Sequence, residues 1–283
     1  MEREIVVLAS DQWRDELLTA EWGAGNHQSH ARLLALRCQE ARTQGLPGQD
    51  YARLVAPRAG GSLAFCVADG VGQSYQGDFA ARLLSERLVD WLDGLDSIPA
   101  SGEAVRDTLA PLLGAWAEAG QAALLAQPVR AESVPLVREV LEELRATEGS
   151  AAVFVAGRVD TATDLGADIG AAEEPGRASV LLCWLGNVAA QVYAGGARVP
   201  LDGFDDERSW WSTARGRKGT LGVAVLSLAR LERLLVYSDG LRAIQDQLPA
   251  LAGDAAWTEA QRLLVLPAND DMTLLDVWWS APA

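Results

Sequence analysis

Three amphipathic helical patterns follow one another between residues 78 and 145, with strand-like apolar runs on both sides of them. This order constrains the fold more than any other feature of the chain. Regular strand–helix alternation would point to a parallel sheet. Strands, then a block of helices, then strands again point to a layered α+β domain. The first helix is expected over Asp78 to Leu92, where Phe79, Leu83, Leu84, Leu88 and Trp91 recur at helical spacing and Asp78 can cap the start. The second is expected over Glu103 to Leu125, with Pro111 as a break or first-turn residue, and the third over Val134 to Arg145. Apolar runs at Ser62 to Ala68, Ala151 to Ala156, Ala178 to Leu185, Ala189 to Tyr193, Leu221 to Leu226, Arg233 to Tyr237 and Met272 to Trp278 read as strands. Ala31 to Glu40 alternates in part, as a strand would, and Gly240 to Gln247 and Trp257 to Leu264 read as short helices. Asp160 to Arg177 is rich in Ala, Gly, Asp and Glu, lacks periodicity and reads as a loop. Residues 1–30, with a short helical pattern from Asp11 to Trp22, are expected to be an appended segment ahead of one domain over 31–283.

Charge narrows the function. The 283 residues hold 24 Lys+Arg against 39 Asp+Glu, a formal charge of −15. Such a chain lacks the basic field that displaces counterions from nucleic acid, and the polybasic face that docks on anionic membranes. Lys218 is the only lysine among the 24 basic residues. Cys38, Cys66 and Cys183 are far apart and odd in number, which fits buried thiols in a reducing compartment rather than a disulfide frame or zinc site. No apolar run approaches the roughly 20 residues of a membrane helix, and the first residues lack a signal-peptide pattern, so a cytoplasmic protein is expected.

Acidic turns recur next to the apolar strands. They are Gln49-Asp50, Asp69-Gly70, Ser238-Asp239-Gly240 and Asn269-Asp270-Asp271. Any one Asp-Gly pair is an ordinary turn. Carboxylates delivered from several strand ends can converge at one edge of a sheet, and such oxygen donors suit hard cations.

The order Gly45-Leu46-Pro47-Gly48-Gln49-Asp50, Val67-Ala68-Asp69-Gly70-Val71-Gly72, Tyr237-Ser238-Asp239-Gly240-Leu241 and Asn269-Asp270-Asp271-Met272-Thr273-Leu274 resembles the metal-dependent protein phosphatases of type 2C, bacterial branch, over residues 31–279. The resemblance implies a four-layer α-β-β-α sandwich of two antiparallel sheets with flanking helices. It implies two Mn²⁺ or Mg²⁺ ions, a phosphorylated protein substrate, and hydrolysis by metal-activated water without a covalent intermediate. Asp69 resembles the aspartate that bridges both ions, and the Gly70 carbonyl resembles a ligand to the second. Asp239 and Asp270 resemble the other first-ion carboxylates, and Asp50 the acidic residue near the metals. Asp271 stands where the family more often has Asn, as a ligand or an extra charge. Arg42, then Arg37, are the candidates for binding substrate phosphate, which a guanidinium does in bidentate fashion.

This chain also departs from the pattern. Val71 stands where some members carry a histidine acid. The strand start Gly149-Ser150-Ala151 replaces Gly-Thr-Thr, and Gly186-Asn187-Val188-Ala189 replaces Gly-Asp-Ser-Arg, losing its acid and its arginine. These losses support an alternative: a phosphatase-like interaction or sensor module with weak or absent catalysis. His27 and His30, the only histidines, would share a helical face at i, i+3 but have no third ligand nearby. Trp210-Trp211 lies among Arg208, Arg215, Arg217 and Lys218, either packed on a sheet edge or as a flap near the site.

Overall fold

The structure is a computed structural model that describes residues 4–24, 27–58, 60, 62–129, 134–161, 178–251, 254–263 and 270–279. Most of the expected loop, residues 162–177, and Asn269 lie outside the described residues. In chain order the elements are β1 (Ile5–Ala9), β2 (Glu16–Ala24), β3 (His27–Leu36), α1 (Gln39–Gln44), β4 (Tyr51–Pro57), β5 (Leu63–Gly70), α2 (Gly77–Asp93), α3 (Gly102–Ala126), α4 (Pro135–Thr147), β6 (Ala151–Thr161) and β7 (Ala178–Leu185). There follow β8 (Ala189–Ala194), β9 (Ala197–Val199), β10 (Trp210–Ser212), β11 (Gly216–Lys218), β12 (Gly222–Leu228), β13 (Leu231–Tyr237), a 3₁₀ turn (Asp239–Ile244), α5 (Asp254–Leu263) and β14 (Met272–Trp279).

The strands form two antiparallel sheets. One runs β1-β4-β5-β6, with β7 and then β12 beyond β6, while β10 and β11 continue beside the first residues of β6. The other runs β2-β3-β14-β13-β8-β9. Strand alternation explains the layers. Leu54, Phe65, Val67, Val155 and Leu182 of the first sheet face Leu33, Leu234, Val236 and Leu275 of the second. Their neighbours Val55, Cys66, Ala68, Phe154 and Cys183 turn outward and meet Leu84, Leu88, Val89 and Leu92 of α2 and Val105, Leu109 and Leu113 of α3. On the opposite side Leu34, Leu235 and Leu274 pack on Ile244, Leu248, Ala260 and Leu263. A strand buried on both faces cannot alternate with polar residues, which is why Leu63 to Ala68 is continuously apolar. Each fully buried Leu or Phe contributes roughly 1.5–3 kcal/mol, so these three clusters outweigh local propensity. The result is the expected α-β-β-α sandwich.

Several local expectations are corrected. Residues 5–24 are not an appended segment: β1 pairs with β4 and β2 with β3, so this stretch supplies an edge strand to each sheet. Asp11 to Trp22 forms no helix, because its apolar residues gain more by pairing with β3 than a short isolated helix gains alone. Asp78 does not cap α2. The Ser150 hydroxyl, far off in sequence, accepts the Ala80 amide proton at 2.9 Å. Pro111 lies inside an unbroken α3, where the carbonyl it leaves free belongs to exposed Asp107. Strand β4 was not expected, since Arg53 and Pro57 interrupt its apolar pattern. His27 and His30 lie on a strand, which removes the helical face that made their spacing suggestive; His30 instead stacks on Trp278, ring centroids 5.1 Å apart.

Candidate metal centre

The antiparallel register brings the acidic turns to one end of the sandwich. Tyr51 pairs with Ala68, Gly70 with Ala152 and Tyr237 with Leu274. The start of β4, the end of β5, the start of β6, the end of β13 and the start of β14 therefore lie together. Asp50 precedes β4, Asp69 and Gly70 close β5, Asp239 follows β13, and Asp270 and Asp271 precede β14. Gly240 permits the last two turns to touch, since a Cβ there would sit 2.1 Å from the Asp271 carbonyl oxygen. These ends open onto a cleft of about 670 Å³ whose walls include Asp69, Gly70, Glu148, Asn187, Glu207, Trp210, Asp239 and Asp270.

The carboxyls differ in environment. Burial, followed by the charges of Asp50, Asp239 and Asp270, pushes the Asp69 carboxyl well above the ordinary range. Asp50, only 7% exposed, is raised in the same way by burial and then by Asp271, although the nearby Ser238 and Thr273 hydroxyls favour its charged form. Neither Asp50 oxygen makes a well-formed hydrogen bond. Asp239 is raised by burial and by Asp270, with Arg242 and Asn187 opposing. Its Oδ2 accepts the Asn187 amide at 2.8 Å, while its buried Oδ1 has no partner. Asp270 is exposed, and its Oδ1 accepts the Asp271 amide at 2.8 Å.

Asp271 has a different role from the one expected. Its Oδ1 accepts the Cys38 amide and its Oδ2 the Gln49 amide, both at 2.5 Å, and the side chain is buried. It bolts the start of α1 and the Gln49-Asp50 turn to β14 and is absent from the cleft walls. Arg42 and Arg37 also fall outside. Arg42 Nη2 pairs with Asp15 Oδ2 at 2.9 Å, and Arg37 Nε lies 3.5 Å from Asp15 Oδ1. Among the described residues no lysine or arginine lines the cleft. The two tryptophans divide the expected alternatives. Trp211 is fully buried and donates from Nε1 to the Leu113 carbonyl at 2.8 Å; Trp210 forms part of the cleft wall with the Lys218 ammonium 3.6 Å from its ring.

The donor set fits a hard divalent cation. Among the described residues no three His, Cys, Asp or Glu side chains already close into a cage. Asp69, Asp239 and Asp270 instead face one open cleft, and the orphaned Asp239 Oδ1 is an acceptor with nothing to accept from. Raised carboxyls crowded in a cleft that no lysine or arginine lines among the described residues are what a bound cation would offset. Ions such as Mg²⁺ need only a few carboxylates and keep several waters.

No protein-family model matches the sequence, and no curated protein matches it. Solved structures do match. A bacterial serine phosphatase shares 13% identity at a TM-score of 0.52, over 89% of this chain and 98% of that one. Serine/threonine phosphatase Stp1 from Staphylococcus aureus shares 12% at 0.51, over 99% and 96%. The catalytic domain of the serine/threonine protein phosphatase PstP, in complex with two manganese ions, shares 15% at 0.50, over 90% and 100%. The fold is the type 2C phosphatase fold.

Sequence reasoning missed Asn187, Glu148 and Glu207 as parts of this centre. For Asn187 a signal was present, since it occupies the turn between β7 and β8 at the same end of the sheets.

Proposed function

We propose that the protein is a metal-dependent phosphoserine/phosphothreonine protein phosphatase. The observation that carries this reading is the unpartnered Asp239 Oδ1 beside raised Asp69, in a cleft walled by carboxylates and by no cation among the described residues. Asp69, Asp239 and Asp270, with the Gly70 carbonyl, would hold Mn²⁺ or Mg²⁺. Two such ions, when bound, supply a water of lowered pKa and neutralise phosphoryl oxygens. The chain supplies the frame. Asp271 ties the Gln49-Asp50 turn to β14, Asn187 holds one Asp239 oxygen, and Trp210 walls the cleft. Ser238 is not placed as a nucleophile: it is fully buried and its Oγ accepts the Thr273 amide at 2.9 Å. With Arg37 and Arg42 held by Asp15, substrate phosphate would depend on the cations for its charge. The substrate is a phosphorylated protein and the setting bacterial signalling in the cytoplasm.

The alternative, an interaction or sensor module, rested partly on the acid missing at position 187. Asn187 still reaches Asp239, which weakens that ground. The deciding assay is hydrolysis of a phosphothreonine peptide and of p-nitrophenyl phosphate with Mn²⁺, with chelator, and in Asp239→Asn. Turnover should require Mn²⁺ and be lost in the variant, because the cation that activates the water would lose a carboxylate. No turnover by the wild type with any divalent metal would sink the enzyme reading and leave the module.

A further inference from the structure

We propose that Asn187 is the positioning residue of the metal centre, saturating one oxygen of Asp239 so that the other is presented to the cation. This rests on the metal centre proposed above and concerns how that centre is built. Asn187 Nδ2 lies 2.8 Å from Asp239 Oδ2. The partner is a carboxylate that can only accept when ionised, which identifies the amide nitrogen as the near atom. Asp239 Oδ1 is buried and has no partner, so the two oxygens of one carboxylate are in unlike states. A carboxylate free to turn about its last bond would offer either oxygen; one hydrogen bond on Oδ2 removes that freedom.

The donor is well chosen in charge and place. An amide satisfies one oxygen without cancelling the carboxylate's charge, whereas an arginine or lysine there would compete with the metal. Asn187 also stands on a short, anchored turn. Leu185 ends β7 in one sheet, Ala189 begins β8 in the other, and Val188 between them is fully buried. The crossing between the sheets therefore fixes Asn187 over the end of β13. Partners that orient a metal ligand in this way typically control affinity by 10–100-fold.

The test is calorimetric titration of Mn²⁺ into the full chain for wild type, Asn187→Ala and Asn187→Leu, the last keeping the branched side-chain shape without the donor. Melting in chelator is measured alongside. Both variants should bind Mn²⁺ about 10–100-fold more weakly while the metal-free melting temperature stays near that of the wild type. Unchanged Mn²⁺ affinity in both variants would overturn the inference and leave the metal centre standing. Weakened binding that merely tracks a collapsed metal-free melting temperature in both would also overturn it, as a purely structural role. A wild type that binds no Mn²⁺ would overturn the metal centre itself, and this inference with it.

Discussion

Asp50→Asn is expected to stabilise the metal-free protein at neutral pH, although it alters a residue beside the proposed centre. Asp50 is 7% exposed, neither oxygen has a well-formed hydrogen bond, and Asp271 and Asp270 add like charge. Burial first, and those charges second, hold its carboxyl well above the ordinary range. In the unfolded chain it titrates near about 3.9. Below that pH both states carry the proton, and the charge of Asp50 costs the fold nothing. Above it the unfolded chain releases the proton and the folded chain retains it. Stability then falls by about 1.4 kcal/mol per pH unit until the folded pKa is reached, and stays lowered beyond it. Asn has no such proton. Its advantage should be near zero around pH 4 and grow as pH rises. Asn is still a buried polar group, so what the substitution removes is the part of the cost that comes with charge, beyond the about 1–3 kcal/mol of a neutral unsatisfied group, and we expect a gain of about 2–3 kcal/mol near pH 7.5. In a chain of this size each kcal/mol moves the midpoint by about 2–4 °C, so the shift should be about 4–12 °C. Thermal melting of wild type and variant in chelator, in steps between about pH 4 and 8, measures it. A variant that melts below wild type near neutral pH, or a difference that does not grow with pH, would refute the reasoning. Saturating Mn²⁺ should shrink or reverse the gain, because a nearby cation offsets the same charge.

Two further outcomes test the packing around the centre. Arg42→Ala should leave KM for a phosphothreonine peptide within about threefold, because Arg42 is spent on a part-exposed pair with Asp15; a tenfold rise would return Arg42 to the phosphate. Gly70→Ala should destabilise by about 1–3 kcal/mol or more in urea melts, since its Cβ would lie 2.5 Å from the Gly77 carbonyl carbon, backbone that cannot swing aside. An unchanged urea midpoint would mean that β5 and the start of α2 are not in firm contact.

What the sequence determined by itself is the local part. The 3.6-residue pattern over residues 78–92 and the continuous apolar run Ala178–Leu185 yield α2 and β7 at close to the expected bounds, because burial on one stripe or on both faces leaves its period in the residues. The four acidic turns were legible for the same reason: each sits beside a strand, and the order of the motifs is carried by the chain. Contacts across long separations were not legible. Residues 16–24 are a strand only because β3 lies ready to pair with them, and Ser150 caps α2 from 70 residues beyond Ala80. Arg42 looked like a phosphate ligand until Asp15, on the loop between β1 and β2, claimed it. Asp271 looked like a metal ligand until two backbone amides, 233 and 222 residues earlier in the chain, took both its oxygens. Asn187 looked like a loss until the crossing from β7 to β8 carried it to Asp239, 52 residues away. A side chain's type shows what it can bond. Which partner it meets is decided by sheet register and layer packing, and these are properties of the whole folded chain.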